Sequence, residues 1–312
     1  MTVVAGGVGA AKFLAGLVRV VDPSSVTAVV NVGDDLELHG LYISPDIDTV
    51  TYTLAGAVNS ETGWGLAGET WQAMEMVARY GGPDWFRLGD RDVGTHLFRT
   101  GRLADGAALS TITAEIAAAW DIGVRLLPAT DDRLRTRVTI VDAGNEVEVD
   151  FQTYFVGRQH AVPVRAVRID GADAAKPAPG VLDAIADADV VVIAPSNPIV
   201  SIGPVLAIPG IEDAVRSRRE RVVAVSPIIA GTALKGPADR LLVELGHESS
   251  VVGIARLYSP FCATLVIDEA DAALAAAVEA EGVVCVVAPT IMSNPALAAS
   301  LATVTIGVAG RP

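Results

Sequence analysis

The chain opens as an alternation of wholly apolar runs and tight glycine-rich turns. Thr2 to Ala5 are apolar or β-branched, Gly6, Gly7 and Gly9 make a tight turn, and Ala10 to Val21 carry apolar residues at helical spacing. A second apolar run, Val26 to Val32, leads straight into Gly33-Asp34-Asp35. Runs without a polar face are typical of strands buried on both sides in a parallel sheet. The order strand, turn, helix, strand therefore predicts the start of a doubly wound sheet. The same grammar returns late: Asp189 to Ala194 and Arg221 to Val225 read as strands that end in Pro195-Ser196-Asn197-Pro198 and Ser226-Pro227. Val251 to Ala255, Thr264 to Ile267 and Val283 to Val287 read as further strands, with helices at Pro237 to Leu245 and Ala272 to Glu281.

The middle of the chain breaks the pattern. Glu61 to Trp120 reads as helical and holds all four tryptophans, while Arg137 to Val156 alternates like a hairpin turning at Gly144-Asn145. The expected fold class is α/β, a Rossmann-like, mostly parallel sheet with helices on both faces. Residues 1–60 and 181–312 form its core, and 61–180 form a mixed helical and hairpin insertion over the carboxyl ends of the core strands.

Composition narrows the function classes. Of 312 residues, 51% are hydrophobic and 19% charged, enough to bury a large core and too few charges for a disordered chain. A formal net charge of −14 without a basic stripe argues against nucleic acid as a partner. It leaves phosphate ligands open, because backbone N–H groups, a few placed cations and a metal can hold them. Cys262 and Cys285 sit in apolar runs and read as small buried hydrophobes, with no disulfide framework. Met1-Thr2-Val3-Val4 lacks a basic leader, and no apolar run is long enough to span a bilayer. The expectation is a cytoplasmic protein with no membrane partner.

Three polar loops at expected strand ends carry the candidate chemistry. Gly6-Gly7-Val8-Gly9-Ala10-Ala11-Lys12 joins a glycine turn to a helix start, which suits a phosphate, with Lys12 adding charge. It is neither a dinucleotide fingerprint nor a Walker A loop, and a turn made only for packing is the alternative. In the second group, Asp34 and Asp35 are followed closely by Asp46 and Asp48. Clustered carboxylates repel unless a cation or hydrogen bonds compensate, and Mg²⁺ favours one or two carboxylates plus phosphate oxygens. Helix capping by Asp34, Asp46 or Asp48 explains the same residues equally well.

The third group is Ser196, Asn197, Ser201, Gly203, Ser226 and Lys235, small polar residues set among prolines, with Lys235 one of three lysines. Each alone is ordinary turn chemistry. In the insertion, Leu88-Gly89-Asp90-Arg91-Asp92 and Thr95-His96 form a compact polar run, where His96 either orients a substrate, acts in acid–base chemistry or is structural. Trp64 and Trp71 lie seven apart, one helix face, although Trp64 between two glycines could stack on a flat ring. His39, His160 and His247 show no metal spacing, and no Ser-His-Asp or Cys-His arrangement is apparent.

Taken together, GGVGAAKFLAGL at 6–17, VNVGDD at 30–35, ISPDIDTVTYTLAG at 43–56, GWG at 63–65, LGDRDVGTHL at 88–97, APSNPIVSIGP at 194–204 and VSPIIAG at 225–231 resemble the 2-phospho-L-lactate transferase family of coenzyme F420 biosynthesis. The resemblance implies a homodimer and an Mg²⁺-dependent enzyme. Its donor is a guanosine diphosphate carrying lactyl or enolpyruvyl, and its acceptor is the deazaflavin riboside Fo, whose terminal ribityl hydroxyl attacks phosphorus and releases GMP. The arginine- and alanine-rich composition favours the actinobacterial, enolpyruvyl branch, giving dehydro-F420-0.

On this resemblance Asp34, Asp35 and Asp48 are the metal candidates, and Asp48 and Asp46 the catalytic ones. Gly7, Val8, Gly9, Lys12, Ser196, Asn197, Ser201, Gly203, Ser226 and Lys235 would hold the nucleotide. Trp64, Asp90, Arg91 and His96, all in the insertion, would hold the deazaflavin. Val8 departs from the pattern, standing where archaeal relatives are expected to carry Thr. The chief rival is a non-catalytic, nucleotide-sugar-binding regulator of the related gluconeogenesis-factor-like family. It should carry a basic Gly- and Ser-rich run where this chain has Leu36-Glu37-Leu38-His39. An NAD(P)-dependent dehydrogenase is a third reading, weakened by the missing third glycine.

Overall fold

The computed structural model describes residues 1–309; positions 310–312, the end of the second core segment, lie outside the described residues. The core is a seven-stranded parallel sheet of Thr2–Ala5 (β1), Thr27–Val30 (β2), Arg125–Pro128 (β3), Val191–Ile193 (β4), Val222–Val225 (β5), Thr264–Ile267 (β6) and Val284–Val287 (β7). Their order is β3-β2-β1-β4-β5-β6-β7, and all neighbours run parallel. This is the Rossmann-like arrangement that the apolar runs predict. Its first six strands follow the doubly wound order that reverses direction beside β1. The interior strands β1, β4 and β5 are buried along their whole length, as their unbroken apolar sequences require.

The helix Val8–Leu17 follows β1 and buries Phe13, Leu14 and Leu17 against the sheet and the Pro295–Gly307 helix. It begins two residues earlier than expected, so Gly7 is its N-cap and Val8 and Gly9 lie in its first turn. Val251–Tyr258 is a helix where a strand was expected. The Ser250 side chain caps it by accepting from Gly253 N (3.1 Å), and Val251, Ile254, Ala255 and Tyr258 are buried at i, i+3, i+4 and i+7. A short apolar run had concealed that period.

Residues 61–180 supply three helices, Gln72–Arg79, Asp90–Ala104 and Leu109–Ala119, and then β3, which joins the core sheet at its edge. The stretch is therefore interrupted by a core strand. The expected hairpin is present as Arg135–Asp142 and Asn145–Asp150, turning at Ala143-Gly144, both with positive φ, one residue earlier than the sequence pattern placed it. Val164–Asp170 adds a third antiparallel strand on the other side of Arg135–Asp142. Beyond Asp150 the chain coils instead of continuing the strand, which turns Phe151, Gln152 and Phe155 toward the core strands' carboxyl ends. Trp64 and Trp71 share no helix, since the first precedes the Gln72–Arg79 helix in a loop. No single helix among the described residues is long and apolar enough to cross a membrane.

Phe13 is fully buried between sheet and helix. Phe13→Ala is expected to destabilise the fold by about 3–5 kcal/mol, read as a lower urea midpoint at unchanged slope.

Candidate active site

The loops leaving β1 and β4 diverge where the strand order reverses, the position at which open α/β sheets bind ligands. A cavity of about 710 Å³ opens there, lined by the loops after β1, β2, β4, β5 and β7 and by residues of the intervening segment. That size suits a small-molecule site. Glycine is required on its floor: a Cβ on Gly9 would stand 2.1 Å from Pro195 O, and one on Gly7 2.4 Å from Asp46 Oδ1. The first loop thus touches both the β4 loop and a carboxylate. Gly6 N donates to Ser196 Oγ (3.3 Å), tying the two loops across the switch point.

Cations gather at the same end. Lys12 and Lys235 both line the cavity, and the Lys12 ammonium is held below its ordinary value by burial and by the charge of Lys235. Two lysines that near each other call for an anion. Lys235 Nζ meanwhile donates to Thr62 O (2.9 Å), linking the β5 side of the cavity to the Trp64 loop.

Facing the glycine loop is a pair of buried carboxylates. Asn31 Nδ2 donates to Asp34 Oδ1 (2.9 Å) and to Asp46 Oδ2 (3.0 Å), and Gln152 Nε2 donates to Asp34 Oδ2 (3.2 Å). Among the described residues neither acid has an ion-pair partner. Burial raises Asp34 well above the usual carboxylate range, helped by the charges of Asp46 and Asp35, and burial pushes Asp46 up to about 7. Neither residue is a helix N-cap: no helix follows Asp34, and Asp46 sits within the first turn of the Pro45–Leu54 helix behind Ser44. Two buried acids joined by one amide and open to an anion-binding loop fit a divalent cation that shares its remaining positions with ligand oxygens and water.

The other two members of the acidic group have partners of their own. Asp48 is gripped at both oxygens by the fully buried Arg99, with Nη1 to Oδ2 at 3.1 Å and Nη2 bonded to Oδ1. Asp35 accepts from Ser44 Oγ (3.0 Å), does not line the cavity, and is pushed up to about 7 by burial against the opposing charges of Arg135 and Arg99. The metal candidates that fit the geometry are therefore Asp34 and Asp46, whereas Asp48 is already paired with Arg99 and Asp35 does not line the cavity. Arg99 Nη1 also donates toward His96 Nδ1 (3.3 Å), and His96 Nε2 faces Asp92 Oδ1 at 3.6 Å. Ligand atoms of Asp48, Asp92 and His96 lie within 4.8 Å of one another, but the Arg99 guanidinium already supplies the positive charge at Asp48.

Of the remaining expected residues, Val8, Ser196, Asn197, Ser201, Ser226, Trp64 and His96 line the cavity. The Asn197 side-chain oxygen caps the turn after β4 through Ile199 N (2.9 Å), which leaves its amide nitrogen free. Ser226 Oγ closes a turn with Ile228. Trp64 is 51% exposed at the mouth. Gly203, Asp90 and Arg91 do not line the cavity. Gly203 begins the short Gly203–Leu206 helix. Asp90 accepts from Gln72 N (3.0 Å) and Ala73 N (2.9 Å), and Arg91 Nη1 donates to Ala67 O (2.6 Å), so both brace the segment. Asn31 and Asp92 were named only as members of polar runs, and Gln152 and Arg99 were not named at all. The signal for Arg99 and Asp92 was their i+3 and i−4 spacing from His96, which puts all three on one helix face.

Residues 1–290 match the family model described as 2-phospho-L-lactate transferase CofD. A phosphoenolpyruvate transferase of Kitasatospora aureofaciens is 46% identical over 308 residues, covering 98% of this chain and 96% of that protein. One of Nocardia farcinica is 43% identical over 314 residues, covering 99% and 95%. A crystal structure of a UPF0052-family protein from Bacillus halodurans aligns over 98% of both chains with a TM-score of 0.62 at 17% identity, a likeness of fold.

Arg99→Met would strand the buried Asp48 charge and is expected to cost about 3–5 kcal/mol, measured by chemical denaturation. For Asp46 the folded value of about 7 lies above the ordinary 3.8, so its contribution to stability declines as pH rises between those values and is flat above. Asp46→Asn should lessen that decline and, in metal-free buffer at about pH 8, melt above wild type. Melting scans across pH check both.

Proposed function

The chain belongs to the 2-phospho-L-lactate transferase CofD family, and from that premise we propose that it transfers a phosphoenolpyruvyl group from a guanosine diphosphate-linked donor to the terminal ribityl hydroxyl of Fo in coenzyme F420 biosynthesis. The bond from the acceptor oxygen to phosphorus forms as the bond to the leaving GMP breaks, and the product is dehydro-F420-0. The names of the actinobacterial relatives support the enolpyruvyl donor over the lactyl one.

One observation carries this reading: the uncompensated pair Asp34 and Asp46 stands against the glycine loop in the cavity that also holds Lys12 and Lys235. Phosphoryl transfer needs positioning and charge neutralisation more than covalent chemistry. Backbone N–H groups of Gly7, Val8 and Gly9 at a helix start, with Lys12 and Lys235, hold the diphosphate. Asp34 and Asp46 would hold Mg²⁺, which would neutralise charge on the phosphoryl oxygens. Ser196, Asn197, Ser201 and Ser226 flank the nucleoside. Trp64 and Phe86 offer the flat faces, and His96 a polar contact, to the deazaflavin. Asp48, fixed by Arg99, shapes the wall between the two substrates. The hydroxyl proton passes to solvent as GMP departs, and the site works by bringing the hydroxyl and the diphosphate into line.

Incubation with Fo, the enolpyruvyl donor and Mg²⁺ should release GMP in step with Fo modification, with the product mass of dehydro-F420-0. The lactyl donor should turn over more slowly. Tight binding of a nucleotide sugar with no turnover would contradict the proposal. Asp46→Asn is expected to lower turnover about a hundredfold or more while keeping the fold. Lys12→Ala should weaken donor binding about tenfold and leave Fo binding nearly unchanged, as read by titration of each ligand.

A further inference from the structure

Two neutral amides hold the acid pair, and they come from different parts of the chain. Asn31, three residues before Asp34, is engaged at both ends. Its Nδ2 donates to Asp34 Oδ1 and Asp46 Oδ2, and its Oδ1 accepts from Gly33 N (2.8 Å). Gln152 stands 118 positions beyond Asp34 and is engaged at one end only. Its Nε2 donates to Asp34 Oδ2 (3.2 Å), while its Oε1 has no hydrogen-bond partner among the described residues. The residue is 5% exposed and lines the cavity.

Packing on either side fixes where Gln152 stands. Phe151 stacks on Phe155, with 5.5 Å between ring centroids and 10° between planes, and Tyr154 is fully buried. Phe151 and Tyr154 belong to a small apolar core with Val138, Ile140 and Val164 of the three-stranded sheet and Val200 after β4. The amide can face a cation-binding Asp34 in one orientation only. Turned over, its Oε1 would meet the carboxylate oxygen, acceptor against acceptor. The nitrogen is therefore committed to Asp34, and the oxygen is left beside the acid pair. A largely buried amide oxygen is ordinarily completed by a donor.

We propose that Gln152 is a positioning residue of the cation site. Its Nε2–H holds Asp34 in the orientation that the cation meets, and its Oε1 accepts a hydrogen bond from a water carried by that cation. Mg²⁺ bound through one or two carboxylates keeps several of its waters, each a hydrogen-bond donor. The chemistry of the holder matters. Asp48 is held by the Arg99 guanidinium, which supplies the positive charge itself, whereas a neutral amide orients Asp34 and leaves its charge for the metal. Groups that orient a ligand in this way set metal affinity although they do not touch the ion. Because Gln152 arrives from beyond the hairpin, cation affinity depends on the packing of that segment as well as on the loop after β2. The inference rests on the reading of Asp34 and Asp46 as ligands to a divalent cation. A side chain that only filled a polar gap would, when changed, weaken every ligand of the cavity together.

The discriminating measurement is a titration of the metal-free protein with Mn²⁺, an oxygen-binding octahedral ion like Mg²⁺, with and without GDP, followed by the electron paramagnetic resonance of free Mn²⁺. Gln152→Met removes both polar atoms at nearly the same length, and Gln152→Asn keeps the amide but withdraws it by one methylene. Both variants should bind Mn²⁺ about tenfold to a hundredfold more weakly than wild type. Their GDP affinity in EDTA should stay within about twofold of wild type. Unchanged Mn²⁺ affinity in either variant, or equal loss of Mn²⁺ and GDP affinity, overturns the inference alone. Wild type that takes up no Mn²⁺ overturns the reading of Asp34 and Asp46 as ligands and this inference with it. Should Gln152→Met fail to fold, Gln152→Asn decides.

Discussion

The amide of Asn31 donates to two carboxylates at once, those of Asp34 and Asp46, largely buried at the edge of the cavity. Two like charges so arranged repel strongly in a low dielectric, and a neutral amide cannot cancel them. Their burial raises both groups above the ordinary carboxylate range. The surrounding features serve to keep the pair together: the absent side chain of Gly7 admits Asp46, and Gln152 arrives from beyond the hairpin to hold Asp34.

The Pro45–Leu54 helix divides charge along its first turn. Asp46 and Asp48 stand two residues apart and are both buried, yet only Asp48 has a cation. Arg99 is committed to it at both nitrogens of the guanidinium fork, a geometry that lysine cannot reproduce. Removing positive charge from this position would leave a third uncompensated acid beside the first pair. Asp48 is thus neutralised by Arg99, while Asp34 and Asp46 below the glycine loop are held by neutral amides.

The parallel sheet makes the arrangement possible because it delivers several loops to one edge. Asn31, Ser196, Ser226 and Thr290 follow β2, β4, β5 and β7 in turn. The Cβ-free approach of Gly9 to Pro195 O closes the gap between the two halves of the sheet, so that the donor side of the cavity is formed by backbone. The segments between β2 and β4 then supply the aromatic and polar side chains that the core loops lack, among them Trp64, Phe86, His96 and Phe151.

Short-range patterns in the chain determined the parallel sheet, the glycine loop and the clustering of acids near residues 34–48, because burial on both faces, tight turns and local spacing are written in neighbouring residues. They failed where a local pattern has two solutions, as in Val251–Tyr258, where capping by Ser250 and a period of 3.6 outweighed β-branching. They also could not say which acids would be free. Asp48 meets Arg99 from 51 positions away and Asp34 meets Gln152 from 118 away, and no spacing within a loop encodes such partners. Tertiary structure alone decided that Asp34 and Asp46 stand without a cation while Asp48 does not, since the charge state of a buried group depends on whichever side chains the fold brings beside it.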